Sequence, residues 1–347
     1  MEALTPKERI YYMDTGKELD RWPIMLFHGT VATRLLGLSY QECQQSSDYL
    51  ARREIEFYRR FACDNVSIEY GLWALPQSLG TVFNFVKDSA PLIKEYAMNQ
   101  IDEVDQLNFD KLSFEKDRRQ QQVYQAIEKV QETIGHEVIC DFDLMGPFST
   151  AISIIPMQEM MRSLRKSPAK VHQLLQAITD CLLAMIDHFS VLEINYGLTD
   201  SVASNDLIGP TQFDEFAAPY LKQLVDRIHF HGRKVNLHMC GNISPSLESI
   251  GHLGLDWLSI DQKMNLMEVK QRIGDQVGLQ GNVDPINAFL YGQPPAIQTE
   301  IERVYEQGCD SPKGFCLAPG CSIPLRTPFE NIEFFMEVAQ KIYLKDK

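Results

Sequence analysis

Lys234-Val235-Asn236-Leu237-His238-Met239-Cys240-Gly241 is the stretch on which the reading of this chain turns. An apolar, strand-like run ends there in a His and a Cys two residues apart. Alternate residues of a strand share a face, so His238 and Cys240 point one way and Met239 the other. Cys321 follows 81 residues after Cys240, in the turn Ala318-Pro319-Gly320-Cys321-Ser322-Ile323-Pro324, close behind a second apolar run, Gly314-Phe315-Cys316-Leu317-Ala318. A His-x-Cys pair is a weak motif alone; the Gly- and Pro-rich turn that delivers a third donor strengthens it. Two thiolates and an imidazole favour zinc over magnesium or calcium. Three protein ligands leave one position open, as catalytic rather than structural zinc requires. His238, Cys240 and Cys321 are therefore the candidate metal ligands, and Cys316, inside its strand run, reads as core.

Outward from this stretch, short β-rich runs alternate with helical patterns. The strand candidates are 23–28, 65–70, 138–143, 200–204, 234–238, 257–261, 277–282 and 315–318. Helical patterns cover 46–61, 117–134, 157–196, 210–231, 245–251, 266–273, 295–307 and 328–343. Strands separated by helical crossovers predict a parallel sheet, and eight of them predict an α/β fold, the (β/α)8 TIM barrel. Residues 1–347 read as one domain. Residues 75–112 are too long for a simple loop and are expected to be an insertion after the second strand, near the barrel mouth, forming a lid or a subunit contact such as a homodimer would use.

Composition narrows the partners. A net charge of −14 with no basic run argues against nucleic acid and anionic membrane surfaces. No run approaches the ~18 apolar residues of a membrane helix, and Met1–Leu19 is charged and lacks the apolar core of a signal peptide. The eight Cys of so large a chain read as reduced thiols of a cytoplasmic protein, and Cys43, Cys63, Cys140 and Cys181 as small core residues.

Polar residues recur where the strands should end: His28, Glu69, Asp141 and Asp143, Asn205 and Asp206, His238 and Cys240, Asp261, Asn282 and Asp284. Barrel active sites lie at that end, and a polar group there needs water, a ligand or another polar group. Loops are polar in any case, which accounts for about half of these residues individually but less well for their recurrence. Glu69, Asp143, Asp206, Asn282 and His28 are the candidate catalytic residues, each also readable as a satisfied strand-end group. His229 and His231 read as surface residues at a helix end.

Several segments resemble the uroporphyrinogen decarboxylase superfamily and, within it, the zinc-dependent, corrinoid-linked methyltransferases. They are Met145-Gly146-Pro147-Phe148-Ser149; Ser204-Asn205-Asp206 through Pro210 to Glu215-Phe216-Ala217-Ala218-Pro219-Tyr220-Leu221; His238-Met239-Cys240-Gly241-Asn242; Gln280-Gly281-Asn282-Val283-Asp284-Pro285; and Ala318-Pro319-Gly320-Cys321 with Thr327-Pro328-Phe329-Glu330-Asn331. The third and fifth are what distinguish the methyltransferase branch. The resemblance implies zinc on His238, Cys240 and Cys321, and a methylcobalamin or related corrinoid carried by a partner protein. Asn205 and Gly281, in shared segments, are assigned to the cofactor side.

The expected activity is methyl transfer between a corrinoid protein and a small thiol or methoxylated substrate. A sulfonate-bearing thiol such as coenzyme M would need a cation near the mouth, for which Lys263 and Arg326 are the candidates. A methoxylated aromatic would need an apolar wall such as Tyr70, Trp73, Phe83 and Phe85. The alternatives are a uroporphyrinogen decarboxylase-type enzyme and a non-catalytic corrinoid- or tetrapyrrole-binding barrel. The decarboxylase branch carries an Arg-rich segment after the first strand, where this chain has only Arg34, and a late His where it has Cys321.

Overall fold

The computed structural model describes residues 3–87 and 90–343. Its strands are β1 (Val66–Glu69), a hairpin of β2 (Val82–Asn84) and β3 (Leu92–Glu95), then β4 (Cys140–Met145), β5 (Ile194–Thr199), β6 (Val235–Met239), β7 (Trp257–Ile260), β8 (Gly278–Val283) and β9 (Phe315–Pro319). All but the hairpin form one curled sheet in the order β1-β4-β5-β6-β7-β8-β9, parallel at every step. Helices such as Ser47–Phe61, Arg118–Ile134, Pro168–Phe189 and Pro294–Gly308 cross between the strands. Arg118–Ile134 buries Val123, Ala126, Ile127, Val130 and Ile134, the one-sided spacing of a helix packed against a sheet. Its start is fixed by Asp117, whose carboxylate accepts the Arg119 and Gln120 backbone N–H groups.

The eighth stave closes the barrel without being a regular strand, contrary to the expectation for 23–28. On one side it meets β9: Met25 N–H donates to the Leu317 carbonyl, and Leu317 N–H to that of Pro23, both at 3.0 Å. On the β1 side, a single backbone bond, Asp64 N–H to the Ile24 carbonyl at 2.8 Å, is supplemented by side chains. Asp64 accepts Ile24 N–H at 2.7 Å. Asn65 accepts Leu26 N–H at 2.8 Å and returns a bond to the Leu26 carbonyl at 3.1 Å. Fully buried Asp64 also takes Arg9 and Arg21 as ion-pair partners.

One strand was expected in the wrong place. The helical pattern of 157–196 is two helices, Met157–Lys166 and Pro168–Phe189, and Ile194–Thr199 is the strand. Residues 200–204, expected to be that strand, form the turn after it, with a single helical turn at Ser201–Ala203. Between β1 and β4 the chain forms a short helix, Ala74–Leu79, the β2–β3 hairpin and two 3-10 turns; the expected insertion at 75–112 includes 88 and 89, which lie outside the described residues.

Because the closing stave hangs on Asp64, Asp64→Ala should destabilise the fold by about 3–5 kcal/mol, the penalty for stranding buried charges. Urea unfolding of the variant beside the unaltered protein measures it; a change under about 1 kcal/mol would contradict this account.

Candidate metal centre at the barrel mouth

β6 ends on His238 and Met239, and Cys240 follows at the mouth. β9 ends on Pro319, with Cys321 two residues on. In a parallel sheet both ends open on the same side, so donors far apart in sequence arrive together. His238 Nε2 lies 3.1 Å from Cys240 Sγ, and the two Sγ atoms are 3.4 Å apart. All three donors fall within 4.8 Å of one another, the one cluster of its kind among the described residues. A tetrahedral zinc, with bonds of ~2.3 Å to sulfur and ~2.1 Å to nitrogen, would space such donors roughly 3.5–3.8 Å apart. The His238–Cys240 and Cys240–Cys321 separations each lie within about 0.5 Å of that spacing. His238 is buried, while both cysteines are only partly so, which leaves one side of the triad open.

The imidazole is held from behind. Its Nδ1 lies 2.9 Å from the Oγ of Ser259, its register partner on β7 and fully buried. A hydroxyl accepting the Nδ1 proton leaves the Nε2 lone pair free for a metal. Phe27 packs against the other side of the ring, 5.1 Å between centroids. Asp261 fixes the loop after Cys240, accepting Gly241 N–H and Lys263 N–H, each at 2.8 Å. Gly241 has φ +78, and a Cβ there would collide with the Asp206 carboxylate.

Without a metal the two sulfurs share a proton. The Cys240 hydrogen bond draws Cys321 down to about 7 against the opposing effect of burial. The same bond, with burial, pushes Cys240 up to about 12. Loading both as thiolates must therefore expel protons.

The other expected residues divide. Asp206 stands at the rim, accepting Asn242 N–H at 3.2 Å, with Lys263 Nζ at 3.9 Å. Asn205 ties the rim together: its backbone N–H bonds the Asn242 carbonyl at 2.8 Å and its Nδ2 bonds Ser246 Oγ at 2.9 Å, while its buried Oδ1 has no partner. Glu69, at the end of β1, lies in a separate polar group with Gln44 at 2.9 Å, Tyr40 at 3.3 Å and Arg53 at 3.4 Å. Asp143 faces the barrel interior below the mouth, pushed up to about 7 by burial and by Glu69 and Glu54, against a Ser67 hydrogen bond.

Three of the expected residues are engaged within the fold. His28 faces away from the mouth, stacked on Phe57 with centroids 4.0 Å apart; both ring nitrogens are engaged, by the Leu26 carbonyl at 2.8 Å and Glu54 at 2.7 Å, so it packs a helix to the barrel. Asn282 is fully buried, and its Nδ2 ties the Asp261 and Met264 carbonyls at 3.0 and 2.9 Å; it shapes the loop after β7. Gly281 packs against a neighbouring strand: a Cβ would stand 3.2 Å from the Ile260 carbonyl, and φ is +144.

Sequence reasoning passed over Ser259, although its place two residues before Asp261 on an inward face was a usable signal. It also missed Arg53 and Arg119, which converge on the Glu69 end of β1. Both are occupied: Arg53 by Glu54 and Glu69, Arg119 by the Glu69, Tyr70 and Gln44 carbonyls and the Gln44 side chain. In the Met145–Ser149 segment, Asp200 accepts Ser149 N–H at 2.7 Å and Phe148 N–H at 3.3 Å. A Cβ on Gly146 would strike that carboxylate.

A parallel α/β barrel with two thiols and an imidazole at its C-terminal rim is the architecture of a barrel enzyme. The family model described as uroporphyrinogen decarboxylase (URO-D) matches residues 5–342, and the chain belongs to that family. Its relatives carry two kinds of name. The methylcobamide:CoM methyltransferase MtaA of Methanosarcina barkeri is 26% identical, the match covering 99% of this chain and all of that protein. The chloroplastic uroporphyrinogen decarboxylase 1 of Oryza sativa subsp. japonica is 23% identical, over 88% of this chain and 75% of that protein. The solved structure of a methyltransferase from Methanosarcina mazei superposes with a TM-score of 0.84 at 22% identity, covering 98% of this chain and 99% of that one; it shares the fold. Among the described residues no helix is long and apolar enough to cross a membrane.

If the triad holds zinc, Ser259→Ala should weaken its binding roughly 10–100-fold, read by competition with a chromophoric chelator, while Ser259→Thr, which keeps the hydroxyl, stays near the unaltered value. Because the ion displaces protons from the sulfurs, zinc affinity should rise between pH 6 and pH 8; a flat profile would contradict the shared proton.

Proposed function

We propose that the chain is a zinc-dependent methyltransferase that moves a methyl group between a corrinoid carried by a partner protein and a small thiol or methoxylated substrate. The observation that carries this reading is the meeting of His238, Cys240 and Cys321 at the open end of the barrel. Relatives named as methylcobamide:CoM methyltransferases, matched over nearly the whole chain, support it. His238, Cys240 and Cys321 would hold the zinc, which would supply an open position able to keep a substrate sulfur as the thiolate or to polarise a leaving oxygen.

The chain's own residues would do the positioning. Ser259 and Phe27 fix the plane of His238 from two sides. Asp261 sets the bend at Gly241 that carries Cys240 toward Cys321. An in-line methyl displacement depends mainly on such alignment. Two thiolates and a neutral imidazole cancel the charge of a divalent ion. Such a donor set would make a zinc held there a modest acid toward water, which favours alkyl transfer over hydrolysis. Asp206, Asn205 and Lys263 at the rim would contact the substrate or the docked carrier.

The decarboxylase reading is favoured less. A tetrapyrrole with several carboxylates wants several free cations facing it, whereas Arg53 and Arg119 are engaged within the fold. Arg34 donates to the Leu325 and Thr327 carbonyls.

The purified chain should contain about one zinc per molecule by elemental analysis, and Cys240→Ser and Cys321→Ser should each lose most of it while remaining folded. The zinc-loaded protein should demethylate methylcobalamin in the presence of a thiol, followed by the visible spectrum, with a loss of at least ~100-fold in either variant. A folded, metal-free chain that decarboxylates uroporphyrinogen would overturn the proposal.

A further inference from the structure

Below the mouth, the barrel interior departs from the branched apolar layers usual in this architecture. It encloses a cavity of about 90 Å³ whose wall includes Ser67, Asp141, Asp143, Asn195, Asn236 and Gln280. Gly197, the register partner of Asp143 on β5, keeps the space open, since a Cβ there would collide with the Asp143 carboxyl. The other charged groups of the wall are Lys7, Asp64 and Lys234. Lys7 pairs with Glu193 at 2.6 Å, Lys234 with Asp14, and Asp64 with Arg9 and Arg21.

Among the described residues neither Asp141 nor Asp143 has an ion-pair partner, although Asp143 hydrogen-bonds Ser67. They lie two apart on one strand and so face the same side. Burial, with Asp143 beside it, raises Asp141 to about 8; Asp143 is raised by burial, Glu69 and Glu54 and lowered by a Ser67 hydrogen bond and by His28. Asn236 adds an independent observation from β6, on the far side of β5: its Nδ2 donates to Gln280 at 2.9 Å, while its Oδ1 is buried with no partner. Two carboxyls with no ion-pair partner and an orphaned carbonyl oxygen in one enclosed space are what a buried polar cluster should not contain unless something binds there.

We propose that this cavity is a second, separate metal site, in which Asp141, Asp143 and the Asn236 Oδ1 hold a hard divalent cation of the magnesium or calcium type. An all-oxygen donor set suits those ions and disfavours zinc, so the interior and mouth sites would sort their metals by chemistry. The charge balances: two carboxylates against one divalent ion. With roughly 30 Å³ for each water, the cavity has room for the ion and about two waters. Binding exchanges the carboxyl protons for the cation and releases them to solvent.

The zinc-loaded protein titrated calorimetrically with Ca²⁺ and with Mg²⁺ tests this, together with Tb³⁺ luminescence, which Trp257 in the cavity wall would sensitise. The expected result is one ion per chain, with proton uptake by the buffer at pH 6.5 that vanishes by pH 9. Asp141→Asn and Asp143→Asn, near-isosteric with the protonated acids, should each weaken binding at least ~10-fold and leave the zinc content unchanged. Cys240→Ser should lose zinc and keep the interior ion, which separates this proposal from the one for the mouth. If an acid variant does not fold, loss of Tb³⁺ luminescence in Asn236→Ala decides instead. No saturable binding to the unaltered protein, or binding undiminished in these variants, overturns the proposal and leaves a cavity that holds only water.

Discussion

Parallel strand pairing around a closed barrel is the constraint from which the rest of this structure follows. Every strand of the curled sheet runs the same way, so every C-terminal end opens on one rim. That geometry lets a thiol after β9 reach a thiol and an imidazole on β6 to within 3.4 Å of sulfur–sulfur separation. Closure is the delicate step, because the stave of residues 23–27 begins with a proline, which has no N–H to give. Asp64 and Asn65 supply from their side chains most of the hydrogen bonds that a ladder to β1 would otherwise make. The cost of burying Asp64 is offset by two arginines.

The inward faces of the strands are chemically graded. At the rim stand His238, Cys240 and Cys321, backed by Ser259 and Asp261. One step down, beneath Phe27, lie carboxyls and amides around a cavity. Only the outward faces carry the continuous apolar surface, Ile68, Phe142, Leu144, Leu198, Leu237 and Leu258 among it, that the helices cover. The fold is thus stabilised mainly between strands and helices, which leaves the interior free to hold polar chemistry.

Much of this was legible from residue order. Seven of the eight expected staves fall where the apolar runs and turn residues put them. The exception, β5, was lost because Leu192-Glu193-Ile194-Asn195-Tyr196 continues the helical apolar spacing of 157–189, and period alone does not separate a short buried strand from a helix end. The polar cluster at Ser204–Asp206 was real but belongs to the turn beyond that strand. The three donors were legible because their residue types are rare in combination. Which way His28, Asn282 and Gly281 face was not, since a polar or small residue near a strand end serves packing as readily as chemistry.

The sequence by itself determined the alternation of strands and helices, the donor types and their strand-end positions, because hydrophobic period and ligand chemistry are local properties. Tertiary structure alone decided which of those positions face one another. Ser259 lies behind His238 through the β6–β7 register; His28 is turned outward by Glu54 and Phe57; Asp141 and Asp143 share an enclosed space with Asn236 because Gly197 leaves it empty. Register, strand tilt and closure are properties of the whole barrel, and no window of the chain contains them.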